Sequence, residues 1–207
     1  MKRRAGRQTA EAAALTRSHI LEAAMQRFAE RGFEGASLRE IAADAQATHG
    51  LIRHHFGTKE DLWRAVVDYV VGKFEARHSP LLAKIGEADP VDILKGFVTN
   101  YIEVSAEQPG VARIIMNDCS RPGPRLDFLV DRMLPIHRAI EPVFLAVQER
   151  GLLRHHDPDS FFIFLLTLGS FPFALSSFTN EFYRRKIGTK AGIERHIDLV
   201  LQALFDS

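Results

Sequence analysis

The stretch SLREIAADAQATHGLIRHHFGTKEDL, residues 37–62, decides the reading of this chain. Ser37-Leu38-Arg39-Glu40 has the form of a capping box, with Ser37 accepting from the Glu40 backbone while Glu40 reaches back. The helix it opens places Leu38, Ile41, Ala42 and Ala45 on one face, at i, i+3, i+4 and i+7. A break at Gln46-Ala47 leads to a second short helix from Thr48 to about Phe56. Gly57-Thr58 then starts another, with Glu60 and Asp61 in its first turn, where carboxylates favour the helix dipole. Upstream, Ile20, Leu21, Ala24 and Phe28 form one face of a helix from about Thr16 to Arg31, closed by Gly32.

Two short helices with a tight break, preceded by a supporting helix, have the dimensions of a helix-turn-helix, whose last helix enters the major groove of DNA. On a helical wheel Ile52 and Phe56 point inward together, whereas Gly50, Arg53 and His54 point away. Thr48, His49, Leu51 and His55 lie at the leading end or on the flanks. Arg and His donate to purine N7 or O6, Thr suits bases or phosphates, and Leu51 could meet a thymine methyl. Gly50 carries no side chain to hold a DNA backbone away, and Lys59 stands at a helix N-terminus where a phosphate could be met. A generic three-helix core is the competing reading of the same spacing.

The rest of the chain is also helical in pattern. Asp89-Pro90 and Asp157-Pro158 each put a capping carboxylate before a proline at the first helical position. Gly86, Pro109-Gly110, Arg121-Pro122-Gly123-Pro124, Gly151 and Gly188 are breaks, giving helices near 59–78, 90–107, 110–118, 125–149, 158–180 and 192–205. No alternating run supports a strand, so the expected fold is all-α with about nine helices. The organisation read from the sequence is a basic, flexible arm at 1–15, a helix-turn-helix domain at 16–63 and a larger helical domain at 64–207.

Composition narrows the class. The 207 residues carry 27 Lys and Arg against 26 Asp and Glu, which argues against a wholly basic nucleic-acid binder or an acidic tail protein. Residues 1–64 hold 11 basic and 8 acidic side chains, but Lys2, Arg3, Arg4 and Arg7 account for the excess, and 11–64 alone sums to −1. The single cysteine, Cys119, excludes an internal disulfide and a Cys-based zinc site. Polar Ala5-Gly6-Arg7-Gln8-Thr9 follows the basic start, so no secretory signal is read and the chain reads as cytoplasmic. Residues 160–180 lack charge but contain Ser, Thr, Asn, Gly169 and Pro172, and are read as a buried or interface helix with no membrane role. Pro172 predicts a kink that frees a carbonyl for a Ser or Thr to satisfy.

Ile20-Leu21-Glu22-Ala23-Ala24, Phe28-Ala29-Glu30-Arg31-Gly32-Phe33, Ser37-Leu38-Arg39-Glu40-Ile41-Ala42 and His54-His55-Phe56-Gly57-Thr58-Lys59-Glu60-Asp61-Leu62 together resemble the TetR/AcrR family of bacterial transcription regulators. The resemblance implies a homodimer that binds a pseudo-palindromic operator in double-stranded DNA and is released by a small molecule. It implies phosphate contacts at Ser37, Arg39 and Lys59, and base or backbone contacts by Thr48, His49, Gly50, Leu51, Arg53, His54 and His55. Helices near 158–180 and 192–205 would form a four-helix bundle with those of a second copy. An effector pocket among the central helices would draw on Phe97, Tyr101, Met116, Met133, His137, Phe164, Leu168 and Phe171, an aromatic set suited to an apolar ligand. His137 is the sharpest polar candidate, with pairing to Glu141 as its alternative. No cofactor is expected.

Three departures bear on the operator. Arg53 stands where the family usually has Tyr, His49 where Lys is common, and Gln46 where the turn usually has Gly. A positive φ kept at Gln46 would cost on the order of 1 kcal/mol. Two other classes compete: an enzyme using Cys119 beside Asn117, Asp118 and Ser120, and a metal-responsive sensor using some of the nine histidines. No two histidines are spaced i, i+4, and adjacent ones such as His54-His55 diverge on a helix, which disfavours chelation.

Overall fold

The computed structural model describes residues 2–184 and 186–205, with side chains from Ala12 onward. Among the described residues it is all-helical, in ten helices: α1 (Lys2–Gly35), α2 (Leu38–Asp44), α3 (His49–Phe56), α4 (Lys59–Leu82), α5 (Pro90–Glu107), α6 (Gly110–Asp118), α7 (Pro124–Glu149), α8 (Pro158–Ala174), α9 (Ser176–Phe182) and α10 (Lys190–Phe205). The all-α class holds. Backbone helix is described from Lys2, whereas the basic side chains Lys2, Arg3, Arg4 and Arg7 lie outside the described side chains. Among the described residues no single helix is long and apolar enough to cross a membrane.

The chain divides into two compact units, residues 1–70 with 113–129, and residues 71–112 with 130–207. In the first unit, Ile20, Leu21, Ala24 and Phe28 of α1 are fully buried together with Ile41, Ile52, Leu62 and Trp63. This is the helical-period face read from the sequence, and truncating any of its large members to Ala would cost roughly 2–5 kcal/mol. Arg27 of α1 forms a bidentate pair with Asp44 at the end of α2, its Nη2 2.9 Å from Oδ1.

The second unit is built on Ile93, Leu94, Phe97, Val98 and Ile102 of α5, packed against Phe161, Leu165 and Phe173 of α8 and Val200 and Leu204 of α10. Helices α5 and α8 approach so closely at Gly169 that a Cβ there would lie 2.6 Å from the Tyr101 ring. Asp89 and Asp157 cap α5 and α8 as their sequence predicts, accepting from Val91 N–H at 2.8 Å and Ser160 N–H at 2.9 Å.

The uncharged run expected as one kinked helix is two helices, α8 and α9, bent by 87° at Leu175. Pro172 donates no hydrogen bond to Leu168, and the carbonyl thus freed is taken by His196 of α10, whose Nε2–H donates at 2.8 Å. The donor is an imidazole from another helix, not the Ser or Thr expected. The neighbouring hydroxyls are committed elsewhere: Thr167 donates to Ile163 and Ser170 to Leu166.

Candidate nucleic-acid interface

Helices α2 and α3 form a helix-turn-helix. Between them Gln46 has φ 51°, so this turn keeps a left-handed residue without glycine. Thr48 is the N-cap of α3, its hydroxyl accepting from Leu51 N–H at 3.2 Å. Ser37 caps α2 but accepts from Arg39 N–H at 3.2 Å, not from Glu40 as the capping-box reading required. A reciprocal box closes instead at the start of α4. There the Thr58 amide and hydroxyl both donate to Asp61, and Asp61 N–H donates back to the Thr58 hydroxyl. The Thr58 hydroxyl and amide hold the Asp61 carboxyl below the usual carboxylate range.

Ile52 and Phe56 anchor α3 in the core, while Thr48, His49, Gly50, Arg53 and His54 are exposed on its other side. Leu51 and His55 are half-buried at the flanks, and the His54 and His55 rings stand edge to face at 5.5 Å. Arg39 is exposed on α2, and Ser37 is half-buried at its cap. A Cβ placed on Gly50 would meet nothing closer than the Thr48 hydroxyl at 4.0 Å, so packing within the protein does not demand glycine there.

Lys59 is not a free cation. Its ammonium donates to the carbonyls of Ala36 at 3.0 Å and Glu34 at 3.3 Å, and sits 4.5 Å from the Phe33 ring. It closes the end of α1, with one proton left over for an external anion.

Sequence reasoning missed the groups that surround this same turn. Asp118, at the end of α6, accepts from Phe33 N–H at 2.9 Å and from the Trp63 indole N–H at 2.8 Å. Arg125 of α7 lies 4.0 Å from the Phe33 ring centroid and pairs with Glu60 at 3.2 Å and Glu34 at 3.5 Å. The one available signal was Trp63, a single tryptophan in an apolar stripe whose N–H must find an acceptor when buried. A pocket of about 680 Å³ beside these residues includes Glu34, Glu60, Arg64, Asp118, Arg121 and Arg125 in its lining. Cys119, next in sequence, has its thiol pushed up to about 11 by burial and then by Asp118, which leaves it protonated and a poor nucleophile at neutral pH.

Within the second unit the effector candidates divide between its interior and its surface. Phe97 is buried in the second unit, and the Tyr101 hydroxyl, its pKa raised by burial, donates to the Leu166 carbonyl at 3.4 Å. Phe164, Leu168 and Phe171 fall on the outer face of α8, 39–45% exposed. Met116 is exposed at the end of α6, and Met133 is half-buried in α7. His137 pairs with Asp159 at 3.2 Å, with its ring edge-on to Phe162, rather than with Glu141. Among the described residues no group of three His, Cys, Asp or Glu side chains is placed to hold a metal ion.

Residues 20–66 match the family described as bacterial regulatory proteins, tetR family. Across a longer span, the transcriptional repressor BepR of Brucella suis is 30% identical over 145 residues, 68% of each chain. The chain belongs to the TetR family. The transcriptional repressor Rv3405c of Mycobacterium tuberculosis is 51% identical over 51 residues, and there the chain spans only 27% of its relative's length. In three dimensions, this TetR-family chain is similar to AibR, solved in complex with isovaleryl coenzyme A and operator DNA. The two share a TM-score of 0.70 and 25% identity, over 92% of this chain and 98% of that one.

Proposed function

We propose that this chain is a ligand-responsive, homodimeric repressor of transcription that binds a pseudo-palindromic operator in the cytoplasm and leaves it when a small, largely apolar molecule binds. The observation that carries the reading is the outer row of α3, where Thr48, His49, Gly50, Arg53 and His54 face solvent over a core anchored by Ile52 and Phe56. Arg53 and His54 read base edges, Arg53 with a bidentate fork that the family's usual Tyr does not offer. Ser37, Arg39, Leu51, His55 and the remaining proton of Lys59 serve phosphates and flanking contacts.

The second copy is assigned to the outer face of α8, α9 and α10. Ile163 and Phe164, Phe178 and Phe182, and Leu199 are 42–73% exposed there, large apolar side chains that a partner copy would cover. Phe164, Leu168 and Phe171 belong to this face in the proposal. The effector is left to Phe97, Tyr101, Met133 and His137, with selectivity from the Tyr101 hydroxyl and the His137 imidazole. That AibR is described with an acyl-coenzyme A and DNA supports an apolar acyl group as the first ligand class to test.

The test is a footprint on the promoter regions flanking the gene, repeated with a panel of acyl thioesters and other hydrophobic metabolites. Protection of a two-fold symmetric site, lost on adding one of them, is the expected result. Arg53→Ala and His54→Ala should each weaken operator binding about tenfold or more while the melting temperature and dimerisation stay at wild type. Unchanged affinity in both variants would overturn the assignment of α3.

A further inference from the structure

We propose that Asp118 is a positioning residue for operator binding, fixing the turn that aims the helix-turn-helix. The inference rests on the operator-binding reading above and concerns a residue outside the 20–66 family match. The turn begins at Gly32, whose φ of 67° and ψ of 174° kink α1 before its last three residues. Phe33 N–H follows this break, and Asp118 Oδ1 accepts from it at 2.9 Å across 85 residues of sequence. The other carboxylate oxygen, Oδ2, accepts at 2.8 Å from the indole of Trp63, which is fully buried and has no access to water. One carboxylate thus ties the end of α1 to α4, each oxygen serving a different helix.

The rest of the turn is held as firmly. Lys59 takes the Glu34 and Ala36 carbonyls, Arg125 and Lys59 both lie against the Phe33 ring, and Asn117 donates to the Ala29 carbonyl at 3.4 Å. Ser37, the cap of α2, follows Ala36 directly, so any rotation at 32–36 passes into α2 and α3. A recognition surface has to be held within about 0.5 Å of its productive placement, and here the holding groups come from outside the helices that touch DNA.

Asp118→Asn keeps the shape but offers only one acceptor oxygen and turns an NH2 toward the second donor. With a duplex selected from a random library by the wild-type protein, this variant should bind at least tenfold more weakly. Affinity for a scrambled duplex and the salt slope should stay unchanged, because no cation is lost. Trp63, the only tryptophan, should report the loss as a shifted emission. Trp63→Phe removes the second donor, so Asp118→Asn in that background should recover most of the lost operator affinity. A loss shared equally by selected and scrambled duplexes, with a lowered melting temperature and no recovery in the double variant, makes Asp118 a fold residue only and overturns the proposal. Wild-type operator affinity alongside a shifted Trp63 emission overturns it as well. A wild-type protein that selects no duplex sinks the operator-binding reading itself and this role with it.

Discussion

At the residue scale, two positions separate what the fold needs from what DNA needs. Gly50 occupies open space on α3, where an added methyl contacts nothing closer than 4.0 Å. Alanine favours a helix over glycine by roughly 0.5–1 kcal/mol, so Gly50→Ala should leave the melting temperature unchanged or slightly higher. The same methyl stands on the surface proposed to meet DNA, and operator affinity should fall tenfold or more; a variant that binds like wild type would show that glycine is incidental there. Gln46 is the reverse case. Its φ of 51° is adopted by a residue with a Cβ, and Gln46→Gly should stabilise the protein by about 1 kcal/mol in denaturant titration, offset in part by glycine's greater freedom when unfolded. No gain at all would mean that the side chain contributes something that compensates the strained backbone.

Helices report how far the sequence could be read. Local rules were sufficient for the Asp89 and Asp157 caps, the Ile20–Phe28 face and the break before Thr48, though they placed the capping box at Ser37–Glu40 when it closes at Thr58–Asp61. They failed where a partner comes from another helix, because periodicity along one helix carries no register to the next. Asp118 with Phe33, His137 with Asp159 and His196 with the Leu168 carbonyl are all of this kind. The outer placement of Phe164, Leu168 and Phe171 was hidden for a related reason: α8 is apolar nearly all round, so composition does not mark which side faces in. The His196 bond has a measurable consequence. Burial lowers the His196 pKa against the opposing effect of the Leu168 carbonyl, and burial lowers that of His78, stacked on Phe74 and bonded to its carbonyl at 2.8 Å. Both rings therefore take up protons less readily in the folded state, and the unfolded chain binds more protons as pH falls. Stability from this source is complete above the unfolded imidazole pKa of about 6.5 and is lost as pH falls below it. Thermal melts should be level from pH 8 to 7 and drop below about 6.5, with a shallower drop in His196→Gln, which keeps a donor but cannot charge. An identical acid profile in that variant would remove His196 as a cause.

For the whole molecule, the question is how a chain with a net charge of +1 holds a polyanion. Residues 11–64, which include the entire helix-turn-helix, sum to −1. Of the seven cations in that stretch, Arg27 is bound to Asp44 and Arg53 is proposed to read bases, while exposed Arg39 and the remaining proton of Lys59 are the ones proposed to meet phosphate. Arg39 and Lys59, doubled in the proposed dimer, give a counterion-release slope of only about −4 against log salt concentration, at roughly 0.9 per phosphate neutralised. Lys2, Arg3, Arg4 and Arg7 form the one other concentrated source of positive charge in the first 64 residues. If they reach phosphates, the wild-type slope is considerably steeper than −4. Changing all four to Gln should then bring it back toward that figure while leaving the ranking of operator sequences intact, since backbone contacts position a protein and base contacts specify its site. Anisotropy titrations between 50 and 200 mM salt decide it. A slope near −4 in both proteins assigns the electrostatic attraction to Arg39, Lys59 and the helix N-termini, and leaves the basic start of the chain with no part in binding.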